Sequence, residues 1–249
     1  MLKGRLITIE GLEGSGKSTL MNLLQSKMKS KNVIFTNEFS HEFGKQIYTM
    51  IKSKRYDPIT ELFLFEAARR EHFVNVIFPA LQKGKIVIMD RFTDSTLAYQ
   101  GFFQDIGLNY VINCNNLATA YSNLQLLNVE SVKPDLTIFL DVEFKTAQKR
   151  LRARANSNQI DRLDMEEFET IRNGYQKSFS QHSTSQKVET IDVTHLKPEQ
   201  VLNKASQIIG RFLKDLKAER DNYGPEVEEE LALMTTLQGT RLKENTDEF

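Results

Sequence analysis

Residues Leu6-Ile7-Thr8-Ile9-Glu10-Gly11-Leu12-Glu13-Gly14-Ser15-Gly16-Lys17-Ser18-Thr19 carry the reading on which the fold turns. The apolar run over 5–10 has the length of a buried strand, and the residues from 17 to 31 repeat with helical spacing. Between them, Gly11 to Ser18 matches the Walker A pattern in the context that pattern requires, strand before and helix after. Glycines let successive backbone N–H groups turn inward around phosphate oxygens, and the helix N-terminus adds partial positive charge. Lys17 is expected to neutralise the β- and γ-phosphates. Ser18 is expected to ligate Mg²⁺ through its hydroxyl, and Thr19 to bond a neighbouring phosphate. Gly11, Gly14, Ser15, Gly16, Lys17, Ser18 and Thr19 are therefore the expected ATP- or GTP-binding set.

Outward from this loop, short apolar strand candidates recur at 5–10, 33–36, 86–90, 135–141 and 187–192. Helical patterns lie near 17–31, 42–52, 58–82, 107–127, 143–153, 164–182 and 197–217. Such alternation predicts a three-layer α/β fold, a five-stranded parallel sheet flanked by helices. Ile86-Val87-Ile88-Met89 and Leu136-Thr137-Ile138-Phe139-Leu140 lack polar alternation, so they belong in the middle of the sheet. Arg154 to Asp164, with Asn156, Ser157 and Asn158, reads as a mobile loop. Periodicity weakens after about residue 218, which divides the chain into a domain over 1–217 and an acidic C-terminal extension over 218–249.

Composition narrows the classes. The 249 residues are 40% hydrophobic, ample for a sizeable core, and nothing approaches a membrane-spanning run. The first strand candidate begins within a few residues of Met1, leaving no room for a signal sequence, and Cys114 is the lone cysteine. A cytoplasmic protein with a packed, inert thiol is the expectation. Net charge is zero, but residues 219–249 carry nine acids and three bases, leaving 30 bases against 24 acids (+6) in the rest. That suits anionic small molecules and makes no case for nucleic acid or membrane.

A phosphate-binding loop alone does not separate kinases from switches and motors. A second signal is Asp90-Arg91, ending an apolar strand at the edge where parallel sheets present ligands. Asp90 can hold the water shell of Mg²⁺, and Arg91 can fork onto a phosphate. Asp141 also ends a buried strand and competes for the metal role.

From these residues onward the chain resembles thymidylate kinases, over about residues 4–212. Asp90-Arg91-Phe92 is similar to the family's Asp-Arg-aromatic signature, which favours Asp90 over Asp141. Ser95-Thr96-Leu97-Ala98-Tyr99-Gln100-Gly101 is close to its base- and sugar-binding stretch, and Leu64-Phe65-Glu66-Ala67-Ala68-Arg69 to its thymine-binding segment. The resemblance implies a nucleoside monophosphate kinase fold and phosphorylation of dTMP to dTDP by ATP with Mg²⁺, a step in dTTP biosynthesis. It implies that Phe65 stacks on thymine and that Arg69, a donor-only group, reads the thymine 4-oxo oxygen. Phe65 would read as core on its own. The same likeness implies that Thr96 and Gln100 address the base, that Tyr99 packs against the sugar's 2′ position, and that Arg91 holds the acceptor phosphate. Glu13 would lie near the acceptor's 3′-hydroxyl.

With Gly14 where one subgroup has a basic residue, the chain is similar to the bacterial subgroup, which supplies arginines from a lid. Arg154 and Arg162 are the candidates for the transferred phosphoryl group, over a lid at about 154–164; Arg150 and Arg152 read equally well as helix-surface charges. A homodimer packed through helices is also implied. The family's Thr-Arg-Glu-Pro-Gly run is replaced here by Thr36-Asn37-Glu38-Phe39-Ser40, losing a base and a turn, which Lys45 could offset electrostatically. That leaves a relaxed deoxynucleoside monophosphate kinase as the nearest alternative. A GTPase switch lacks its guanine-binding element, and intact Lys17, Ser18, Asp90 and Arg91 argue against a catalytically dead regulator.

Overall fold

The computed structural model describes residues 2–121, 130–153, 163–183 and 186–219. Strand β1 (Arg5–Gly11) leads into helix α1 (Lys17–Lys27), followed by β2 (Val33–Thr36), α2 (Glu42–Ser53) and α3 (Pro58–His72). A π-helical turn over Phe73–Ile77 joins α3 to α4 (Phe78–Gln82). Then come β3 (Ile86–Asp90), α5 (Thr93–Thr96) and a second π-helical segment, Leu97–Phe103. Helix α6 (Leu108–Ala118), β4 (Leu136–Asp141), α7 (Phe144–Arg152), α8 (Met165–Phe179), β5 (Lys187–Asp192) and α9 (Pro198–Glu219) complete the order.

The five strands form one parallel sheet in the order β2-β3-β1-β4-β5, with helices on both faces as the apolar runs predict. Leu6, Val87 and Met89 face Phe73, Ile77 and Phe92 on one side. Ile7, Ile9, Ile88 and Ile138 face α1, α8 and α9 on the other. Register sets the site. Ile9 pairs with Asp90, and Gly11 with Leu140, so the phosphate-binding loop, Asp90 and Asp141 all emerge at one edge.

The expected helix over 58–82 is interrupted. Pro79 has no N–H to return to the carbonyl of Asn75, and the Phe78 N–H reaches back five residues to Phe73, widening the turn. The helix expected over 107–127 ends at Ala118. Arg70 donates to the carbonyls of Ala118 (3.4 Å) and Ala120 (2.7 Å), and Ala120 pairs with Ser131 instead of continuing the helix. Residues 93–103, read from sequence only as a motif, are helical throughout. Asp164 and Glu167 form a reciprocal capping box that starts α8. Of the lid expected at about 154–164, residues 154–162 lie outside the described residues, as do residues 220–249 of the expected acidic extension. Among the described residues no helix is long and apolar enough to cross a membrane.

Candidate active site

Three loops at the C-terminal edge of the sheet build the site. The first is Gly11 to Ser18. Gly14 sits at φ +79°, and a side chain there would place Cβ 2.7 Å from the Ala147 carbonyl oxygen of α7. The glycine therefore permits both the turn and the close approach of the helix. Lys17, at the start of α1, folds its ammonium back onto the carbonyls of Gly11 (2.8 Å) and Leu12 (3.0 Å). Burial, with Arg91 adding to it, pushes Lys17 down to about 8, against the pull of Glu13, Asp90 and Glu10. Ser15 Oγ is buried with no partner, while Ser18 and Thr19 are exposed. A shallow, mostly apolar depression flanks the loop between α7 and α8, lined by Glu13, Phe144, Ala147, Leu151, Leu163 and Phe168.

The second loop follows β3. One carboxylate oxygen of Asp90 is buried and unpartnered. Asp141, its rival, is bound by Arg172 through two short bonds, 2.7 and 2.5 Å, and is thereby occupied. The unpartnered Asp90 oxygen and the exposed Ser18 hydroxyl are both hard-oxygen donors. Among the described residues no cluster of three or more His, Cys, Asp or Glu could hold a metal. These oxygen donors fit Mg²⁺, which takes few protein oxygens and fills the rest of its octahedron from water and phosphate.

Arg91 occupies the left-handed region at φ +64°, rare for a residue with a Cβ. Its guanidinium donates to Glu13 (2.7 Å), Tyr175 Oη (2.6 Å) and Ser95 Oγ (3.1 Å). Glu13 also accepts the Tyr99 hydroxyl. Although burial works the other way, Arg91 and Lys17 hold Glu13 below the usual carboxylate range. Beneath them Glu10, fully buried, accepts from the Phe92 N–H (2.7 Å) and the Ser95 hydroxyl (2.6 Å). Burial and then Asp94 push its carboxyl up, against Arg91 and these two donors.

The third part is the wall formed by α3 and residues 36–40. Arg69 is 1% exposed and donates to Glu38 (2.5 Å), Glu66 (2.6 Å), Thr96 Oγ1 (2.6 Å) and Asn115. Four of its five N–H groups are spent inside the protein. Burial alone would lower Arg69, yet Glu38 and Glu66 hold it above the ordinary arginine value. Gln100 donates to Glu61 at 3.1 Å. Phe65, half-buried, meets Phe39 at 5.9 Å, and Phe39 meets Tyr48 at 4.9 Å between centroids.

The altered 36–40 segment keeps a turn by other means. Asn37 accepts from the Phe39 N–H (2.9 Å), and the Ser40 hydroxyl donates to the Asn37 carbonyl (2.7 Å). Thr36 bonds His72 at 2.7 Å, and the His72 ring stacks on His41 at 5.5 Å. Lys45 is exposed on α2.

The structure thus gathers Glu13, Lys17, Asp90, Arg91 and Tyr99 into one electrostatic cluster, and Arg69 with Thr96 into another. Arg154 and Arg162 lie outside the described residues. Arg152 is exposed, whereas Arg150 is more than a surface charge: it bridges the carbonyls of Gly14 (3.3 Å) and Val193 (2.7 Å). Sequence reasoning missed Glu10, Glu38, Asn115 and Tyr175. Glu10 did carry a signal, since it is a carboxylate near the end of an apolar strand, as Asp90 and Asp141 are.

Comparison with known proteins gives a consistent picture. The family model described as Thymidylate kinase matches residues 9–204. The thymidylate kinase of Ligilactobacillus salivarius is 34% identical, the match covering 85% of this chain and 100% of that protein. That of Rickettsia typhi is 36% identical over 81% and 95%. Among solved structures, the thymidylate kinase of Ehrlichia chaffeensis is similar with a TM-score of 0.64 and 28% identity, covering 83% of this chain and 98% of that one.

Proposed function

The chain belongs to the thymidylate kinase family, and we propose that the cluster around Arg91 carries out its reaction, ATP-dependent phosphorylation of dTMP to dTDP. The observation that carries this reading is the position of Arg91. It stands between the phosphate-binding loop and the acceptor wall, close enough to depress Lys17 and bonded to Glu13. In this reading Gly11, Gly14, Ser15, Gly16, Lys17, Ser18 and Thr19 hold ATP. Lys17 leaves the Gly11 and Leu12 carbonyls for the phosphates. Ser15 Oγ, buried without a partner, supplies a waiting donor.

Ser18 and Asp90 would hold Mg²⁺, which when bound neutralises charge on the phosphate oxygens. Arg91 grips the acceptor phosphate, whose oxygen is already an anionic nucleophile, so no general base is needed. Alignment and charge neutralisation then supply most of the rate. Arg154 and Arg162 are proposed to close over the transferred group and exclude water.

On the acceptor side Phe65 stacks on the base. The one N–H that Arg69 has left suits a single acceptor such as the thymine 4-oxo oxygen. Thr96 and Gln100 flank it, Tyr99 packs at the sugar, and Glu13 lies near the 3′-hydroxyl. We assign the domain to 1–217 and the acidic extension to 218–249, and place the protein in the cytoplasm. Exposed Ile59 and Phe63 on α3, with Tyr110 and Leu117 on the adjoining α6, support a homodimer through these helices. Sedimentation should give twice the 28.7 kDa chain mass.

A coupled ADP-release assay with dTMP, dUMP and dGMP as acceptors tests the assignment. dTMP should be the best substrate. Equal rates with dGMP would replace this reading with a relaxed deoxynucleoside monophosphate kinase.

A further inference from the structure

Arg91 holds an unfavourable backbone conformation and a donor-only side chain, and both are tied to one buried carboxylate. A left-handed residue with a Cβ costs about 1–2 kcal/mol, so something must hold the turn. The Arg91 N–H bonds the Ile9 carbonyl at 3.1 Å, and the next N–H, that of Phe92, bonds Glu10 Oε1 at 2.7 Å. Glu10 thus anchors the peptide unit that turns Arg91 into the site.

The side chain depends on the same group. Arg91 can only donate, so Ser95 and Tyr175 must meet it with oxygen lone pairs and direct their single hydrogens elsewhere. Glu10 Oε2 accepts from Ser95 at 2.6 Å and from Tyr175 at 3.3 Å, with the Gly11 carbonyl at 3.3 Å as the second outlet for Tyr175. The two hydroxyls are themselves 2.8 Å apart. Tyr175 reaches this point because Gly174 lets α8 lie against the Leu97–Phe103 segment; a Cβ there would come within 2.9 Å of the Ala98 carbonyl. Glu10 is 0% exposed and immediately precedes Gly11 of the phosphate-binding loop. Its hydrogen bonds all go to groups that hold Arg91, so its positioning effect passes through Arg91, separate from its electrostatic pull on Lys17.

We propose that Glu10 is the positioning residue of Arg91, fixing its backbone through Phe92 and its guanidinium through the hydroxyls of Ser95 and Tyr175. This rests on Arg91 holding the acceptor phosphate. The purified full-length chain is compared as wild type, Glu10→Leu, Tyr175→Phe and Arg91→Ala, and as each of the first two combined with Arg91→Ala. Alone, Glu10→Leu should lower kcat/KM for dTMP about 100-fold and Tyr175→Phe about 10-fold, with KM for MgATP within about twofold of wild type. Competitive inhibition by thymidine, which lacks the phosphate, should be unchanged. On the Arg91→Ala background both substitutions should change kcat/KM by less than about twofold, as expected for groups acting as one unit.

If Arg91→Ala is impaired but the other substitutions keep their full effect on top of it, Glu10 does not act through Arg91 and only this inference fails. The same holds if thymidine binding falls in parallel with dTMP. If Arg91→Ala has near-normal kinetics, the phosphate-holding reading falls and the inference with it. Should Glu10→Leu not accumulate as folded protein, Glu10→Gln, which removes the charge and one of the two accepting oxygens but keeps the shape, takes its place in the same cycle with the same expected outcomes.

Discussion

The donor and acceptor sides of this site are made of different material. On the proposed donor side, Gly11 to Ser18, the surface offered is backbone, and its lysine, Lys17, rests on two carbonyls. On the proposed acceptor side, the groups on offer are side chains from distant segments. Arg69 alone joins residues 38, 66, 96 and 115, and Arg91 joins 13, 95 and 175. A backbone site can be written in eight consecutive residues. A side-chain site must be assembled by the fold, and its charges must balance within the protein before any substrate arrives.

That contrast can be broken most forcefully at Arg69. Arg69→Met leaves Glu38 and Glu66 buried without their counter-charge and should destabilise the protein by about 3–5 kcal/mol, read as a lowered urea midpoint. The matching change on the donor side should behave in the opposite way. Lys17 is pushed down to about 8 by burial, so its charge opposes folding at neutral pH. Lys17→Met should abolish ATP binding while leaving the unfolding midpoint unchanged or raised. If both variants lose stability equally, the two sides are not built differently.

Arg91→Ala should lower kcat/KM for dTMP by about two to three orders of magnitude, the cost of one charge-stabilising donor. Near-normal steady-state kinetics would remove Arg91 from the mechanism.

His72 sharpens the comparison through pH. Burial, reinforced by His41, lowers it to about 4 from 6.5. Between these values the unfolded chain takes up a proton that the folded protein refuses. Its contribution is therefore complete above pH 6.5 and lost as pH falls towards 4, about 3 kcal/mol in all. His72→Gln, which keeps a donor for Thr36, should flatten the acid limb of the stability profile without changing ATP binding. The smallest effect concerns the base: the thymine methyl is worth roughly 0.8 kcal/mol of burial, so dUMP should be disfavoured about fourfold in kcat/KM. A hundredfold preference would mean that the wall formed by Phe39 and Phe65 reads the methyl far more tightly than simple burial.

The altered 36–40 segment shows how far sequence reading reaches. Losing arginine, proline and glycine from the family pattern reads as a weakened acceptor site. In the fold Asn37 and Ser40 rebuild the turn, and Glu38 holds Arg69. The π-helical turn at 73–77 and the early stop at Ala118 were also out of reach. Both depend on where hydrogen bonds go, and the second on a carbonyl captured by Arg70 from another helix.

The sequence by itself determined the parallel sheet, the phosphate-binding loop and Asp90-Arg91 at its edge. These follow from local periodicity and from glycines whose conformational role does not depend on distant neighbours. For Asp90 against Asp141 the motif resemblance only pointed to Asp90, and the tertiary structure supplied the physical difference between them. Each is an aspartate ending a buried strand, and what separates them is Arg172, 31 residues beyond Asp141, which folds back to neutralise one and leaves the other with an open oxygen. It was likewise the fold that gave Glu10 its place beneath Arg91. A carboxylate's partners are set by which strands and helices meet around it, and no window of sequence contains them.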